Sequence, residues 1–187
     1  DAWARVEQAL ASASQIVITH EHPDHLGGVV GPNKRALLDK VVFNSQQLPG
    51  NRWTNLLPWP EPPLPKPAIA GTAPVAIAPG VVVIPAASHT EGSQMVFVRL
   101  ADGREFLFAG DIASATRNWV ELRARSRLIG DYLAPENRGE VFAWLKTIRA
   151  LKKQAPALVV LPGHDFEWLI EPDNRGYVKF GFGPVSD

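Results

Sequence analysis

The sequence predicts an α/β fold, and three observations carry that prediction. Short apolar runs recur along the chain, each followed closely by His or Asp: 15–18 before His20, 81–85 before His89, 106–109 before Asp111 and 158–161 before His164. Runs of that length bounded by Gly and Pro read as buried strands. Between them lie stretches with apolar residues at helical spacing, Trp3, Val6 and Leu10 first and Val141, Leu145, Ile148 and Leu151 later.

Taken in order, the spacing predicts a helix over 3–13 that feeds a strand over 15–18. A polar cluster follows at 19–28, closing on Gly27 and Gly28, where the chain can turn tightly. Residues 33–40 read as helix and 41–44 as a short strand. The stretch 48–74 holds Trp53, Trp59, Pro58, Pro60, Pro62, Pro63, Pro65 and Pro67, and so cannot be a central strand or a regular helix. It is either a stiff lid, with Trp53 and Trp59 as apolar contacts for a substrate, or a surface connection that its tryptophans anchor to the body. Residues 75–84 read as two strands split at Pro79-Gly80. Residues 94–100 and 105–109 read as a hairpin, with Asp102-Gly103 as its turn signal. A helical stretch from Ser114 carries Trp119, Leu122 and Leu128, and a second helix covers 136–154. Its Lys146, Arg149, Lys152 and Lys153 suit a solvated C-terminal half. The strand 158–161 leads to Pro162-Gly163-His164-Asp165. The tail, 166–187, holds Tyr177, Phe180 and Phe182 without clear periodicity.

Composition narrows the function classes. A chain of 187 residues that is 45% hydrophobic can bury one substantial core, so a single domain over 1–187 is expected. Nineteen basic and 19 acidic residues cancel, which argues against nucleic acid as a partner and leaves a small-molecule substrate as the expected one. There is no cysteine, hence neither a disulfide nor a thiolate ligand. Residues 68–88 are uncharged, but Gly71, Pro74, Pro79, Gly80 and Pro85 interrupt them too often for a membrane-spanning helix. No secretory signal is visible, so the cytoplasm is the expected compartment, or an extracytoplasmic one if a leader has been removed.

The chemistry concentrates in Thr19-His20-Glu21-His22-Pro23-Asp24-His25. Imidazole and carboxylate are preferred ligands of Zn2+ and similar metals. Side chains two apart in extended chain share a face, so His20 and His22 can chelate one ion. Asp24 and His25, past the bend at Pro23, can reach a second. The remaining histidines, His89 and His164, also follow strands, as does Asp111, which is what a metal site on one rim of a sheet requires. Thr19, Ser88, Thr90 and Asp165 are placed either to hydrogen-bond the ligands or to satisfy turns.

The HxHxDH pattern, the later His89, Gly110-Asp111 and Gly163-His164, in that order over 15–165, resemble the metallo-β-lactamase superfamily. The resemblance implies an αββα sandwich, and it implies that His20, His22 and His89 hold one metal, Asp24, His25 and His164 the other, with Asp111 bridging. In that family several strands precede the first helix, so the chain is expected to lack them, its sheet being completed by a separate N-terminal segment or by a homo-oligomer. Two Zn2+ are the implied cofactors, with Fe, Mn or Co as alternatives. The implied activity is that of a dinuclear hydrolase, in which a metal-bridging hydroxide cleaves an ester, lactone, thioester or amide and Asp24 and Asp111 act as catalytic residues. The bridging Asp and the lack of Cys look more like lactonases, glyoxalase II-type thioesterases and phosphodiesterases than zinc β-lactamases, whose activity stays an alternative. Ile112, Ala113 and Ser114 follow Asp111 where acyl-homoserine lactonases commonly place a Tyr. A mono-iron sulfur dioxygenase of the same fold is a further alternative, and a non-catalytic module another.

Overall fold

In a computed structural model that describes residues 2–170, the chain is built on one five-stranded mixed sheet. Its strands are β1 (Val75–Ala78), β2 (Val81–Pro85), β3 (Gln94–Arg99), β4 (Glu105–Gly110) and β5 (Val159–Pro162), in that spatial order. The first four pair antiparallel, and β4 pairs parallel with β5. Parallel pairing requires a long crossover, supplied here by helix α4 (Thr116–Val120), a π-helical turn (Leu128–Leu133) and helix α5 (Arg138–Gln154). Helix α1 (Ala2–Ser12) and the short helices α2 (Pro23–Leu26) and α3 (Arg35–Leu38) precede the sheet. Helix α6 (Phe166–Ile170) follows it.

The expected hairpins form for the reasons their turns suggest. Gly80 sits at φ +75°, and a Cβ there would come within 2.4 Å of the Arg99 carbonyl oxygen. Gly103 has φ +86°, and its N–H bonds the Leu100 carbonyl at 2.9 Å while Asp102 accepts from the Arg104 N–H at 3.0 Å. Helix α5 starts at Arg138 because the Asn137 side chain caps it, accepting from the Glu140 N–H at 3.2 Å. Its Val141, Leu145 and Ile148 pack on Met95, Leu107, Leu158 and Val160 of the sheet side. Of its basic residues, Lys152 is not simply solvated, for its Nζ donates to the Pro156 and Leu158 carbonyls, each at 2.7 Å.

A second core cluster gathers Ile16, Ile18, Leu26, Val29, Val30, Leu38, Val41 and Phe43. Here the sequence expectation needs correction. Residues 15–18 and 41–44 are extended but form no ladder; they meet through the parallel bridge Ile16↔Val41, and Asn44 bridges Ile69. At Ile18 side chains take over the missing pairing. The Ile18 carbonyl accepts from Gln47 Nε2 at 2.9 Å and Gln94 Nε2 at 2.7 Å, so its acceptor is satisfied without a neighbouring strand. Asn44, itself still extended, ends the stretch by capping the 3-10 turn Ser45–Gln47. The helix expected over 33–40 shrinks to α3, after which the chain returns to meet Ile16. The helix expected from Ser114 breaks after Val120, because Leu122 adopts φ +55°, a left-handed conformation that no α-helix continues through. The proline-rich stretch 48–74 contains only one 3-10 turn, Thr54–Leu56, in keeping with its composition. Tyr177, Phe180 and Phe182 lie outside the described residues, among which no helix is long and apolar enough to cross a membrane.

Leu145 is fully buried between α5 and the sheet. Leu145→Ala is therefore expected to lower unfolding free energy by about 2–5 kcal/mol, read as a shift in the urea midpoint.

Candidate metal centre

Each donor reaches the centre through the local structure of its own segment. Alternation along 20–22 sends His20 and His22 one way and Glu21 the other. Glu21 is buried, accepting from Thr90 Oγ1 at 2.6 Å and the Gly92 N–H at 3.1 Å, and burial pushes its pKa up. Pro23 opens α2, which turns Asp24 and His25 back toward the rim. His89 follows β2, Asp111 follows β4, and His164 follows β5.

The histidines and acids expected from sequence come together in three overlapping groups: His20, His22 and His89; His20, His25 and Asp111; and Asp24, His25 and His164. Within each, the donor atoms lie within 4.8 Å of one another. His22 Nδ1 is 3.1 Å from His20 Nε2 and 3.2 Å from His89 Nε2. A single N–H can bridge only one such pair, whereas three inward lone pairs suit a cation. His89 Nδ1 lies 3.1 Å from Glu136 Oε2. A carboxylate only accepts, so His89 donates from Nδ1 and turns its Nε2 lone pair inward. Thr19 Oγ1 lies 3.2 Å from His20 Nδ1 and 3.4 Å from His25 Nδ1, bracing both rings from behind.

The other half is more open. His25 Nε2 is 3.2 Å from His164 Nε2 and 3.5 Å from both Asp24 Oδ2 and Asp111 Oδ1. Asp111 Oδ1 is buried without a hydrogen-bond partner, 3.2 Å from His164 Nε2. An orphaned carboxylate oxygen beside two imidazoles, with Asp24 next to it, fits a divalent cation, as do the three converging nitrogens of the deeper half. His20, His22 and His89 are buried, while Asp24 and His164 are exposed. Small molecules therefore reach the centre from the Asp24 and His164 side.

Burial also sets the charge state. It holds the His20 pKa far below the ordinary imidazole value, with the nearby His25, His89 and His22 adding to the effect. It pushes His22 down to about 4, helped by His89 and opposed by Asp24 and Asp111, and it lowers His25. All three are neutral at pH 7 and ready to donate lone pairs.

Of the tryptophans, Trp53 reaches the centre, its ring centroid 4.3 Å from that of His22 and edge-on to it, with Arg52 over its own face at 4.1 Å. Trp59 instead packs on Phe43 in the second core cluster and spends its N–H on the Thr54 carbonyl at 2.8 Å, as an anchor does. Among the four polar residues flanking the candidate ligands, Thr19 contacts the His20 and His25 rings. Ser88 Oγ donates to the Ala86 carbonyl, Thr90 holds Glu21, and Asp165 accepts from the Thr116 and Trp168 N–H groups.

Sequence reasoning missed two residues. Glu136 carries no spacing signal, because it joins His89 across 47 positions. Arg125 lies in an irregular stretch, yet its Nη2 donates to Asp111 Oδ2 at 2.5 Å, and its Nε and Nη2 donate to Ser114 Oγ at 3.1 and 2.6 Å.

Residues 4–164 match the family model described as the metallo-beta-lactamase superfamily. No curated protein matches the chain. A solved structure of a B. thuringiensis AiiA variant, with N-decanoyl-L-homoserine bound at its active site, is similar over 91% of this chain and 61% of its own, at 17% identity and TM-score 0.58. An N-acyl homoserine lactone hydrolase, with the product N-hexanoyl-L-homoserine at its catalytic metal center, aligns over the same 91% and 61%, at 16% identity and TM-score 0.56. A quorum-quenching N-acyl homoserine lactone hydrolase aligns over 88% of this chain and 63% of its own, at 18% identity and TM-score 0.58. The chain thus spans about three fifths of the length of these structures. The likeness shows a shared fold.

Two predictions follow from the geometry. A Cβ on Gly163 would fall 2.2 Å from Asp111 Oδ1, so Gly163→Ala is expected to displace that carboxylate and weaken metal uptake by about 10- to 100-fold, measured by competition with a chelator. The second concerns the metal-free protein, where His20, His22 and His25 have folded pKa values below the unfolded value of 6.5. The unfolded chain then takes up protons first as pH falls. Stability is full above about pH 6.5 and drops from there toward pH 4, which urea midpoints measured between about pH 7 and pH 5 should show.

Proposed function

Because the chain belongs to the metallo-beta-lactamase superfamily, we propose that it is a metal-dependent hydrolase that cleaves an ester, lactone, thioester or amide, with two ions, zinc foremost. One observation carries the reading: five imidazoles and two carboxylates from distant segments converge on one rim of the sheet, with their donor atoms turned inward. In this reading His20, His22 and His89 hold the inner ion, Asp24, His25 and His164 hold the outer one, and Asp111 stands between them.

When bound, such ions polarise a carbonyl oxygen and lower the pKa of a coordinated water. The chain's own groups do the rest. Glu136 keeps the His89 proton on Nδ1, and Thr19 steadies the His20 and His25 rings. Asp24, the exposed carboxylate of the set, turns Oδ2 toward His25 and His164, which leaves Oδ1 to orient the attacking water and accept its proton. Trp53, edge-on to His22, walls the approach with an apolar face suited to an uncharged part of the substrate.

An uncharged or weakly charged substrate fits a chain with balanced charge and no basic patch read from its sequence. The similar solved structures include acyl homoserine lactone hydrolases, which places lactones first in a test panel with thioesters, β-lactams and phosphodiesters. The test pairs elemental analysis with that panel. One iron per chain together with oxygen consumption would instead identify the sulfur dioxygenase alternative, and turnover of β-lactams alone the zinc β-lactamase one. His22→Ala and Asp111→Ala are each expected to lose bound metal and to cut turnover by more than about 100-fold, beyond what changes to supporting residues cause. Full metal content with full activity in either variant would refute the assignment.

A further inference from the structure

Arg125 presents a fixed positive charge to the centre, and its geometry is built. Its guanidinium is tethered at Nε and Nη2 by Ser114 Oγ, and its backbone carbonyl accepts from Arg138 Nη1 at 3.0 Å. Its side chain is 18% exposed, against 5% for Asp111, so the pair is largely withdrawn from water. The two oxygens of Asp111 consequently differ. Oδ1 has no hydrogen bond and faces His164 and His25 at 3.2 and 3.5 Å. Oδ2 is taken by Arg125 at 2.5 Å, although it is the oxygen recorded near His89 Nε2, at 3.8 Å.

We propose, resting on the metal-centre reading above, that Arg125 divides the Asp111 carboxylate, reserving Oδ2 for itself, so that the two ion sites of this chain fill unequally. The outer site then has two carboxylate oxygens, from Asp24 and Asp111 Oδ1, to balance a dication. The inner site has three imidazoles, no free carboxylate oxygen, and a guanidinium beside it. Like charges at such range in a partly buried setting repel, which makes the inner site the weaker one. Asp111 becomes a true bridge only when the guanidinium swings aside. Arg125 is thus a positioning residue that acts through Asp111.

The experiment titrates the chelator-treated full chain with Zn2+ by calorimetry and with Co2+ by visible absorption. Four proteins are compared: the wild type, Arg125→Met, Arg125→Lys and Ser114→Ala. The wild type is expected to bind two ions in separate steps. Arg125→Met should tighten the weaker step by about 10- to 100-fold and change the Co2+ spectrum of that step as Asp111 joins it. Arg125→Lys keeps the charge and should retain the separation. Ser114→Ala unties the guanidinium and should narrow the gap in part, and it also serves if Arg125→Met does not fold by circular dichroism. Two equal steps in the wild type would overturn the proposal. So would an Arg125→Met protein whose constants are unchanged, or one in which both steps weaken. A wild-type chain that takes up neither metal would overturn the functional reading itself, and this inference with it.

Discussion

The parallel pairing of β4 with β5 is the constraint on which the centre depends. It sets Gly110 opposite Pro162, after a register shift beyond Phe108↔Leu161, and so starts two loops side by side. Those loops stay joined past the strand ends, the Gly163 N–H donating to the Ala113 carbonyl at 3.1 Å and the His164 N–H to the Ser114 carbonyl at 2.8 Å. Asp111 and His164 therefore meet because their strands do. The closeness leaves no room for side chains at the crossing. Gly163 gives way to the Asp111 carboxylate, and Gly110, at φ +53°, gives way to Thr19, whose hydroxyl braces two of the histidines.

Packing behind that junction keeps it rigid. Helix α5 closes the crossover by burying Val141, Leu145 and Ile148 against the sheet. The segment that leads into α5 carries Glu136, which reaches His89 from behind. One crossover thus serves both the hydrophobic core and the orientation of the His89 ring. On the opposite flank, Gln47 and Gln94 satisfy the Ile18 carbonyl and hold the approach to His20 in place without a strand ladder.

Electrostatically the centre is graded from inside to outside. The buried imidazoles of His20 and His22 are neutral because desolvation disfavours their charged forms, and His89 is buried beside them, while the carboxylate of Asp24 stands in solvent. Asp111 sits at the boundary with one oxygen bare and the other held by Arg125. That gradient gives the two halves different charge compensation even though their ligand types overlap.

Much of this was legible in the chain itself. Periodicity and turn chemistry located the β2 and β3–β4 strands and α5, because those signals are local: Asp102-Gly103 demands a turn, and apolar residues three and four apart demand a buried helix face. The order and spacing of His20, His22, Asp24, His25, His89, Asp111 and His164 pointed to a candidate metal site for the same reason, since the cluster at 20–25 and each later residue come after an apolar run, and the structure brings these side chains together. Tertiary structure alone decided the rest. Residues 15–18 and 41–44 have the composition of strands, but a ladder needs a neighbour; the two stretches meet only at the bridge Ile16↔Val41, and side-chain amides satisfy the Ile18 carbonyl. The helix after Asp111 stops at a left-handed Leu122 that no composition rule marks. Glu136 and Arg125 are charged residues in unremarkable surroundings; only the folding of the crossover brings one to His89, 47 positions away, and the other to Asp111, 14 positions away, and contacts at such separations leave no trace in local spacing.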